Sequence, residues 1–169
     1  MSAEGRCPGC GLTLPPEDGP VHSYKTSSAA CWARFGEVLA IEFSDPAWFG
    51  VHQVTVDAYA VQHPGQPERR SIQSVALHLM TLGMVCEREM DPADAPRLHK
   101  RMAHGPGFTW LEPPSMEGLL TVVDVLGAGD PQEHERRVMA WALDVWEAWS
   151  PHHATVWEWL EMSLGSTLN

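Results

Sequence analysis

Basic side chains are scarce in this chain of 169 residues. Eleven Lys and Arg stand against twenty-two Asp and Glu, the formal net charge is −11, and the basic residues form no cluster. Proteins that bind DNA or RNA normally present a surface rich in Lys and Arg that displaces phosphate counterions. The composition therefore predicts that nucleic acids are not partners of this protein.

Long apolar runs are also missing. No stretch approaches the ~20 apolar residues of a membrane-spanning helix, and the N-terminus lacks the apolar segment of a signal peptide. The chain has four cysteines, three of them in a pattern typical of metal ligands, which suits a reducing compartment better than a secreted disulfide scaffold. We therefore expect a soluble, cytoplasmic protein with no membrane partner.

The motifs of common enzyme classes are missing as well. The sequence contains no Gly-x-Ser-x-Gly nucleophile elbow, no phosphate-binding loop and no dinucleotide-binding fingerprint. The sequence alone therefore leaves open whether the chain is an enzyme.

A short cysteine motif stands near the start of the chain. Cys7 and Cys10 are separated by Pro and Gly and followed by Gly11, and Cys31 comes later, just ahead of a helical run. Two cysteines in such a tight turn can direct both sulfurs at one ion, while the turn aims backbone N–H groups at the thiolates. The pattern predicts a zinc site with Cys7, Cys10 and Cys31 as ligands. A redox pair or free thiols is the alternative.

A tetrahedral zinc site needs a fourth ligand. His22 lies between the cysteine pair and Cys31, and His52 begins a later helix that could fold back beside Cys31. We expect His22, or else His52, to complete the site. Water in the fourth position would leave the site open and able to support catalysis. Cys86 lies in an apolar helical stripe, where a buried inert thiol is expected.

Helical periodicity dominates the chain after residue 31, and strand signals are limited to a short segment near 21–25. The Gly- and Pro-rich segment 104–131 is predicted to be a long ordered loop that contains one short helix. The fold class is therefore mainly α: a bundle-like helical domain, 32–169, packed as one unit with a small N-terminal Cys-rich zinc module, 1–31. The helices are predicted over 31–43, 46–63, 70–89, 92–102, 131–149 and 151–164.

Polar rings on the predicted helices suggest a second site. His52, Tyr59 and His63 share one face of a helix, but eleven residues separate the two histidines, roughly 16 Å along the axis, so they cannot bind one ion. His78 borders the apolar stripe of the next long helix. We expect these four side chains to contribute to a pocket in the helical core; the alternative is that each packs singly.

The last helix contributes two more candidates to this pocket. His152 and His153 lie in its first turn, where the positive end of the helix dipole favours the neutral imidazole that binds metals. Tryptophan is concentrated nearby, with five of the eight in the last thirty residues, and these rings are expected to form core or to wall the pocket. They are Trp141, Trp146, Trp149, Trp157 and Trp159.

Five strings carry a family resemblance: Cys7–Gly11, Cys31-Trp32, Val51–Gly65 with its DAYAVQHPG end, Ser71–Ala76, and Trp149 with His152-His153. Together they resemble an uncharacterised bacterial family, a domain of unknown function, over nearly the whole chain. The resemblance implies a common fold and supplies no activity. A weaker similarity to metal-dependent helical bundles of the DinB and mycothiol-transferase type implies three histidines in the bundle core, although the histidine spacings here depart from that pattern.

Two functions are compatible with these features. The first is a zinc-binding helical protein with a structural cysteine site and a pocket lined by His and Trp for a small molecule or a second metal. The alternative is a non-catalytic module that binds a protein partner through the zinc knuckle and the acidic surface. A deep pocket lined by Tyr59, His63 and His78 would favour the first, and a flat exposed apolar patch the second.

Overall fold

A computed structural model describes residues 5–105 and 107–165 of the chain. These residues form eight α-helices, two single-turn 3-10 helices (Pro92–Asp94 and Ser150–His152) and no strand beyond one isolated bridge between Arg6 and Thr13. The mainly α fold class is confirmed. The α-helices are α1 (Ala29–Ser44), α2 (Pro46–Phe49), α3 (His52–Gln62), α4 (Arg69–Glu87), α5 (Ala95–Met102), α6 (Val122–Val125), α7 (Pro131–Ala148) and α8 (His153–Leu164).

Capping residues explain where several of these helices begin. The Ser28 side chain accepts a hydrogen bond from the Cys31 N–H at the start of α1, and Asp45 accepts one from Ala47 at the start of α2. Asp130 does the same for Glu133 in α7. Such side chains satisfy N–H groups that have no partner inside the helix. The outer residues of the two predicted domains, 1–4 and 166–169, lie outside the described residues.

Two predicted elements differ from the structure. The helix expected over 46–63 is divided into α2 and α3, because Gly50, a weak helix former, and Val51 lie in a turn between them. The strand expected near 21–25 is a turn, in which the Lys25 N–H donates to the His22 carbonyl. No neighbouring strand exists among the described residues to pair with it.

Helix α3 is the centre of the fold. It contacts α1, α4, α5 and α7, and eight of its eleven residues are buried, on all sides of the helix. A helix with no solvent face must place its polar side chains in the interior, where each needs a hydrogen-bond partner. Four polar residues of α3 and its cap, Thr55, Asp57, Gln62 and His63, are fully buried.

Three tryptophans from α7 and its C-cap pack in the core beside α3. Trp141, Trp146 and Trp149 are almost completely buried. The indole N–H of Trp141 donates to Gln62 Oε1 at 3.0 Å, and Gln62 Nε2 donates onward to the Leu120 carbonyl at 2.8 Å. Buried indoles need such partners, so these rings are core residues rather than the walls of a pocket.

The helices were also compared with the length of a membrane span. Within 5–105 and 107–165, none is both long and apolar enough to cross a bilayer.

Replacing Trp141 by Phe tests the interior hydrogen bonds. The substitution removes the donor to the buried Gln62 side chain and leaves a void, so we expect the free energy of unfolding to fall by about 2–4 kcal/mol. Chemical denaturation followed by circular dichroism measures the change.

Trp110→Phe is the matched control, because Trp110 lies half-buried outside the helices and its N–H donates to the exposed Glu112. This control should change the stability by no more than about 0.5 kcal/mol. Equal effects of the two substitutions would contradict the role given to the Trp141 N–H.

Candidate metal centre

The first two cysteines lie in a tight turn held by backbone hydrogen bonds. The Cys7 N–H donates to the Leu12 carbonyl at 2.8 Å, and the Gly11 N–H donates to the Cys7 carbonyl at 3.0 Å. Gly11 has a φ of +77°, a conformation that residues with a Cβ rarely adopt. The turn leaves the Cys7 and Cys10 side chains 1% and 3% exposed.

Gly9, at the tip of this turn, lies directly against α3 and its cap. A Cβ at Gly9 would collide with the Thr26 carbonyl and would lie 2.5 Å from Cδ2 of His63. Only glycine permits this close approach, which brings the two cysteines to the C-terminal end of α3.

Four potential ligands meet at this point. Cys7 and Cys10 come from the turn, Cys31 from the first turn of α1, and His63 from the cap of α3, and the ligand atoms of all four lie within 4.8 Å of one another. Cys31 and His63 are fully buried. This group can hold a metal ion.

The spacing of the ligand atoms matches a tetrahedral ion. Zinc bonds of about 2.3 Å to sulfur and about 2.0–2.1 Å to nitrogen imply edges of about 3.8 Å between sulfurs and about 3.6 Å between sulfur and nitrogen. Cys10 Sγ lies 3.8 Å from Cys31 Sγ, and Cys31 Sγ lies 3.5 Å from His63 Nε2. A disulfide would need about 2.05 Å between sulfurs, and the four cysteines are all free.

Hydrogen bonding prepares the His63 ring for coordination. Its Nδ1 lies 2.8 Å from the Tyr59 carbonyl, which can only accept, so Nδ1 carries a proton and donates it. The other nitrogen, Nε2, faces the sulfurs and offers a lone pair to an ion once its proton has left. Metal-binding histidines are commonly oriented in this way through the second ring nitrogen.

Other groups around the cluster donate toward the sulfurs. The Tyr59 hydroxyl donates to Cys31 Sγ at 3.6 Å, and the Ser28 N–H donates to Cys7 Sγ at 3.5 Å. The Tyr59 ring stacks on His63 at a centroid distance of 4.0 Å. Donors of this kind stabilise thiolates and orient the ligands of a metal site.

The acid–base properties of the cluster show how strongly its members interact. Hydrogen bonds from the thiols of Cys10 and then Cys31 hold the pKa of Cys7 far below its ordinary value, whereas hydrogen bonding with Cys31 and Cys7, together with burial, raises the pKa of Cys10. Burial disfavours a charge on His63, but the thiols of Cys31 and Cys7 outweigh it and raise its pKa to about 9. The groups share protons that a divalent cation would replace.

The histidine in this group is not the one expected from the sequence. His22 lies edge-on to the rings of Tyr24 and Trp32, with Nδ1 accepting from the Tyr24 N–H at 3.4 Å. His52 points to the buried Glu42, with 2.8 Å between Nδ1 and Oε2. Neither joins the cysteines, because the turn after α3 brings His63 to them instead.

The six residues expected to line one pocket also lie in separate places. Tyr59 and His63 belong to the cysteine group, and His52 pairs with a carboxylate near the end of α1. His152 Nε2 lies 2.8 Å from the Glu112 carbonyl, and the His153 ring stacks on Trp146 with centroids 3.7 Å apart. The structure thus places these residues in separate surroundings and does not bring all of them together in one pocket.

His78 belongs to a second group that the sequence analysis did not identify. With Asp57 and His99 it forms the other described cluster able to hold a metal ion. Asp57 lies near the opposite face of α3 from His52 and His63, so the shared face of those two histidines does not point to it. It is, however, the only Asp, Glu, Lys or Arg in α3, a signal that this helix has no solvent face.

Burial keeps the groups of the second cluster neutral. Burial raises the pKa of Asp57 to about 8 and lowers that of His78 to about 3. Gln53 Nε2 donates to Asp57 Oδ1 at 2.8 Å, which partly offsets the cost of burial.

The three-histidine core implied by the bundle analogy is not found among the described residues.

A second buried acid, Glu42, serves as a contrast to Asp57. Its Oε2 pairs with His52, and its Oε1 accepts from His134 at 2.9 Å and from the Thr55 hydroxyl. Burial favours the neutral acid, but the hydrogen bonds from His134, His52 and Thr55 outweigh it and lower the pKa of Glu42. Both oxygens of this carboxylate are satisfied, so we interpret it as a structural ion pair.

The chain was compared with known protein families. The family of unknown function DUF5946 matches residues 5–150. The chain belongs to this family. The match includes all seven residues of the two metal-type clusters and confirms the expected membership in an uncharacterised family. No curated protein and no solved structure matches the chain.

Replacing Gly9 by Ala tests the contact between the cysteine turn and α3. The added methyl group would overlap the His63 ring and the Thr26 carbonyl, so we expect the free energy of unfolding to fall by about 1–3 kcal/mol. Hydrogen exchange should show faster exchange in residues 5–31 than in the wild type.

Gly19→Ala provides the control, because a Cβ at Gly19 meets no atom within 4 Å. Its effect should stay within about 0.5 kcal/mol. A Gly9→Ala protein as stable as this control would show that the turn does not lie against His63.

Proposed function

We propose that this chain is a zinc-binding protein in which Cys7, Cys10, Cys31 and His63 form a structural metal centre. The observation that carries the proposal is the convergence of these four ligand atoms within 4.8 Å of one another, with the two distances from Cys31 Sγ to Cys10 Sγ and to His63 Nε2 at tetrahedral values. Three sulfurs and one imidazole nitrogen favour zinc over calcium or magnesium, which prefer oxygen ligands.

Burial supports a structural rather than a catalytic role. All four ligands are protein side chains, and none is more than 3% exposed. A catalytic zinc keeps a position for water or substrate, whereas a closed site with four protein ligands contributes to folding.

In this proposal the ion joins parts of the chain that are distant in sequence. It connects the cysteine turn near the N-terminus to α1 through Cys31 and to the end of α3 through His63. The two-part organisation, a zinc module over 1–31 docked on a helical domain over 32–169, follows from that connection. Thiolate ligands also require a reducing compartment, which supports the proposed cytoplasmic location.

A second candidate function is the binding of a protein partner. Phe43 and Phe49 are 66% and 41% exposed, and their ring centroids lie 5.3 Å apart. Exposed aromatic pairs of this kind favour interaction surfaces. The metal centre comes first because four converging ligands define a chemistry, whereas two exposed rings fit many kinds of contact.

Metal analysis of the purified protein tests the first proposal. We expect one tightly bound zinc ion per chain, and Cys10→Ser should release it because a hydroxyl is a poor replacement for a thiolate. In the variant, hydrogen exchange should increase first in residues 5–31, while α4 and α7 stay protected. Elemental analysis and a chelator competition assay measure the metal.

Each ligand variant has a matched control: Cys86→Ser for Cys10→Ser, and His52→Ala for His63→Ala. Cys86→Ser and His52→Ala should retain zinc, because Cys86 lies on α4 away from the cluster and His52 pairs with Glu42. His63→Ala should bind zinc more weakly, so that a chelator removes it more readily than from the wild type. Wild-type protein without zinc, or loss of zinc in the two control variants, would contradict the assignment.

A further inference from the structure

Asp57 is a buried carboxylate with an unused ligand atom. Its side chain is fully buried in α3, and its Oδ1 lies 2.6 Å from His78 Nδ1. The other oxygen, Oδ2, is also buried and has no hydrogen-bond partner within the part of the chain that the structure describes. An unsatisfied polar atom in a protein interior costs on the order of 1–3 kcal/mol, so a group that fills this position would stabilise the fold.

Two histidines from different helices face this carboxylate. His78 comes from α4 and His99 from α5, and their ring centroids lie 4.8 Å apart. The His99 Nδ1 lies 3.9 Å from Asp57 Oδ1, and one ligand atom from each of the three residues falls within 4.8 Å of the others. Three helices thus hold two imidazoles and one carboxylate in reach of a single ion.

The cluster opens onto a surface pocket. His78 and His99 line a cavity of about 390 Å³ together with Tyr24, Arg70 and Ser74. The side chains of His78 and His99 are 13% and 24% exposed, in contrast with the closed cysteine centre. An ion held there by three protein ligands would keep positions for water or another small ligand.

Lys25 is a nearby cation that could pair with the Asp57 carboxylate, since its charge lowers the pKa of Asp57. Its ammonium group donates instead to Ser74 Oγ at 2.6 Å and to the Ala60 carbonyl at 3.4 Å. The Asp57 Oδ1 atom is therefore contacted by Gln53 and by the two histidines, and Oδ2 has no partner among the described residues.

We propose that Asp57, His78 and His99 form a second metal site, which binds a divalent first-row transition-metal ion at the base of this pocket. Two imidazoles and one carboxylate with open positions are a ligand set that suits iron(II), zinc or cobalt(II). The ion would pair with the free carboxylate oxygen and replace the proton that the cluster shares. The site is independent of the cysteine centre, because the two share no ligand.

Cobalt(II) is the probe that separates the two sites. Titrated into the purified zinc-containing protein under anaerobic conditions, it should bind with a stoichiometry of one per chain. We expect weak visible absorption typical of nitrogen and oxygen ligands, no thiolate-to-cobalt charge-transfer band, and no release of zinc. Calorimetry measures the stoichiometry and affinity in parallel.

Variants then assign the ligands. His99→Ala and Asp57→Asn should each weaken cobalt binding by more than about 100-fold, the upper range for loss of a group that merely supports a ligand. His104→Ala, an exposed histidine just beyond α5, should bind as the wild type does. His99 is partly exposed, so its substitution should leave the fold intact even if a change at the buried Asp57 does not.

Three results would overturn the proposal. They are wild-type protein that takes up no cobalt beyond its zinc, cobalt uptake accompanied by a thiolate charge-transfer band and zinc release, and unchanged binding by His99→Ala. The first would leave the cluster as a set of hydrogen-bonded packing residues. If the proposal of a cysteine zinc centre is wrong, the purified protein will contain no zinc before cobalt is added, and that result is distinct from the three above.

Discussion

The fold depends on the meeting of three sulfurs and one imidazole at the end of its central helix. Thiols and imidazoles this deeply buried cannot carry charge without a counter-ion, because the low dielectric of the interior makes an isolated charge costly. A divalent cation bound between them, as proposed above, would offset this cost and contribute to the free energy of folding. The long irregular segment before α1 has no strand partner and no helix of its own within the described residues. It is attached to the helical core by this cluster and by hydrogen bonds such as those from Lys25 to Ser74 and from Ser71 to the Tyr24 carbonyl.

The second constraint is that α3 has no solvent face. Its buried polar side chains need hydrogen-bond partners inside the protein, and each of them contacts a different part of the structure. Thr55 contacts the buried Glu42, Gln62 links α7 to the Leu120 carbonyl, and Asp57 faces the histidines of α4 and α5. The same helix therefore positions both metal-type clusters, one on each side, through ordinary satisfaction of buried polar groups.

The sequence predicted what depends on local chemistry. Prolines after capping residues and the spacing of apolar side chains located most helices, and the Cys7 to Cys10 spacing indicated a metal turn. The fourth member of that group was missed because His63 is thirty-two residues from Cys31 and reaches it only through the packing of α3 against α1. Asp57 was missed for a related reason: a helical-wheel argument assumes one face toward water, and burial on all sides removes that assumption.

X-ray absorption at the zinc edge of the purified protein tests the central claim most directly. The account predicts a first shell of three sulfur atoms at about 2.3 Å and one nitrogen atom at about 2.0–2.1 Å, with imidazole scattering beyond it. In His63→Ala protein reconstituted with zinc, the imidazole scattering should disappear while the sulfur shell remains. A wild-type spectrum with a shell of oxygen and nitrogen only, or an imidazole signal that persists without His63, would contradict it.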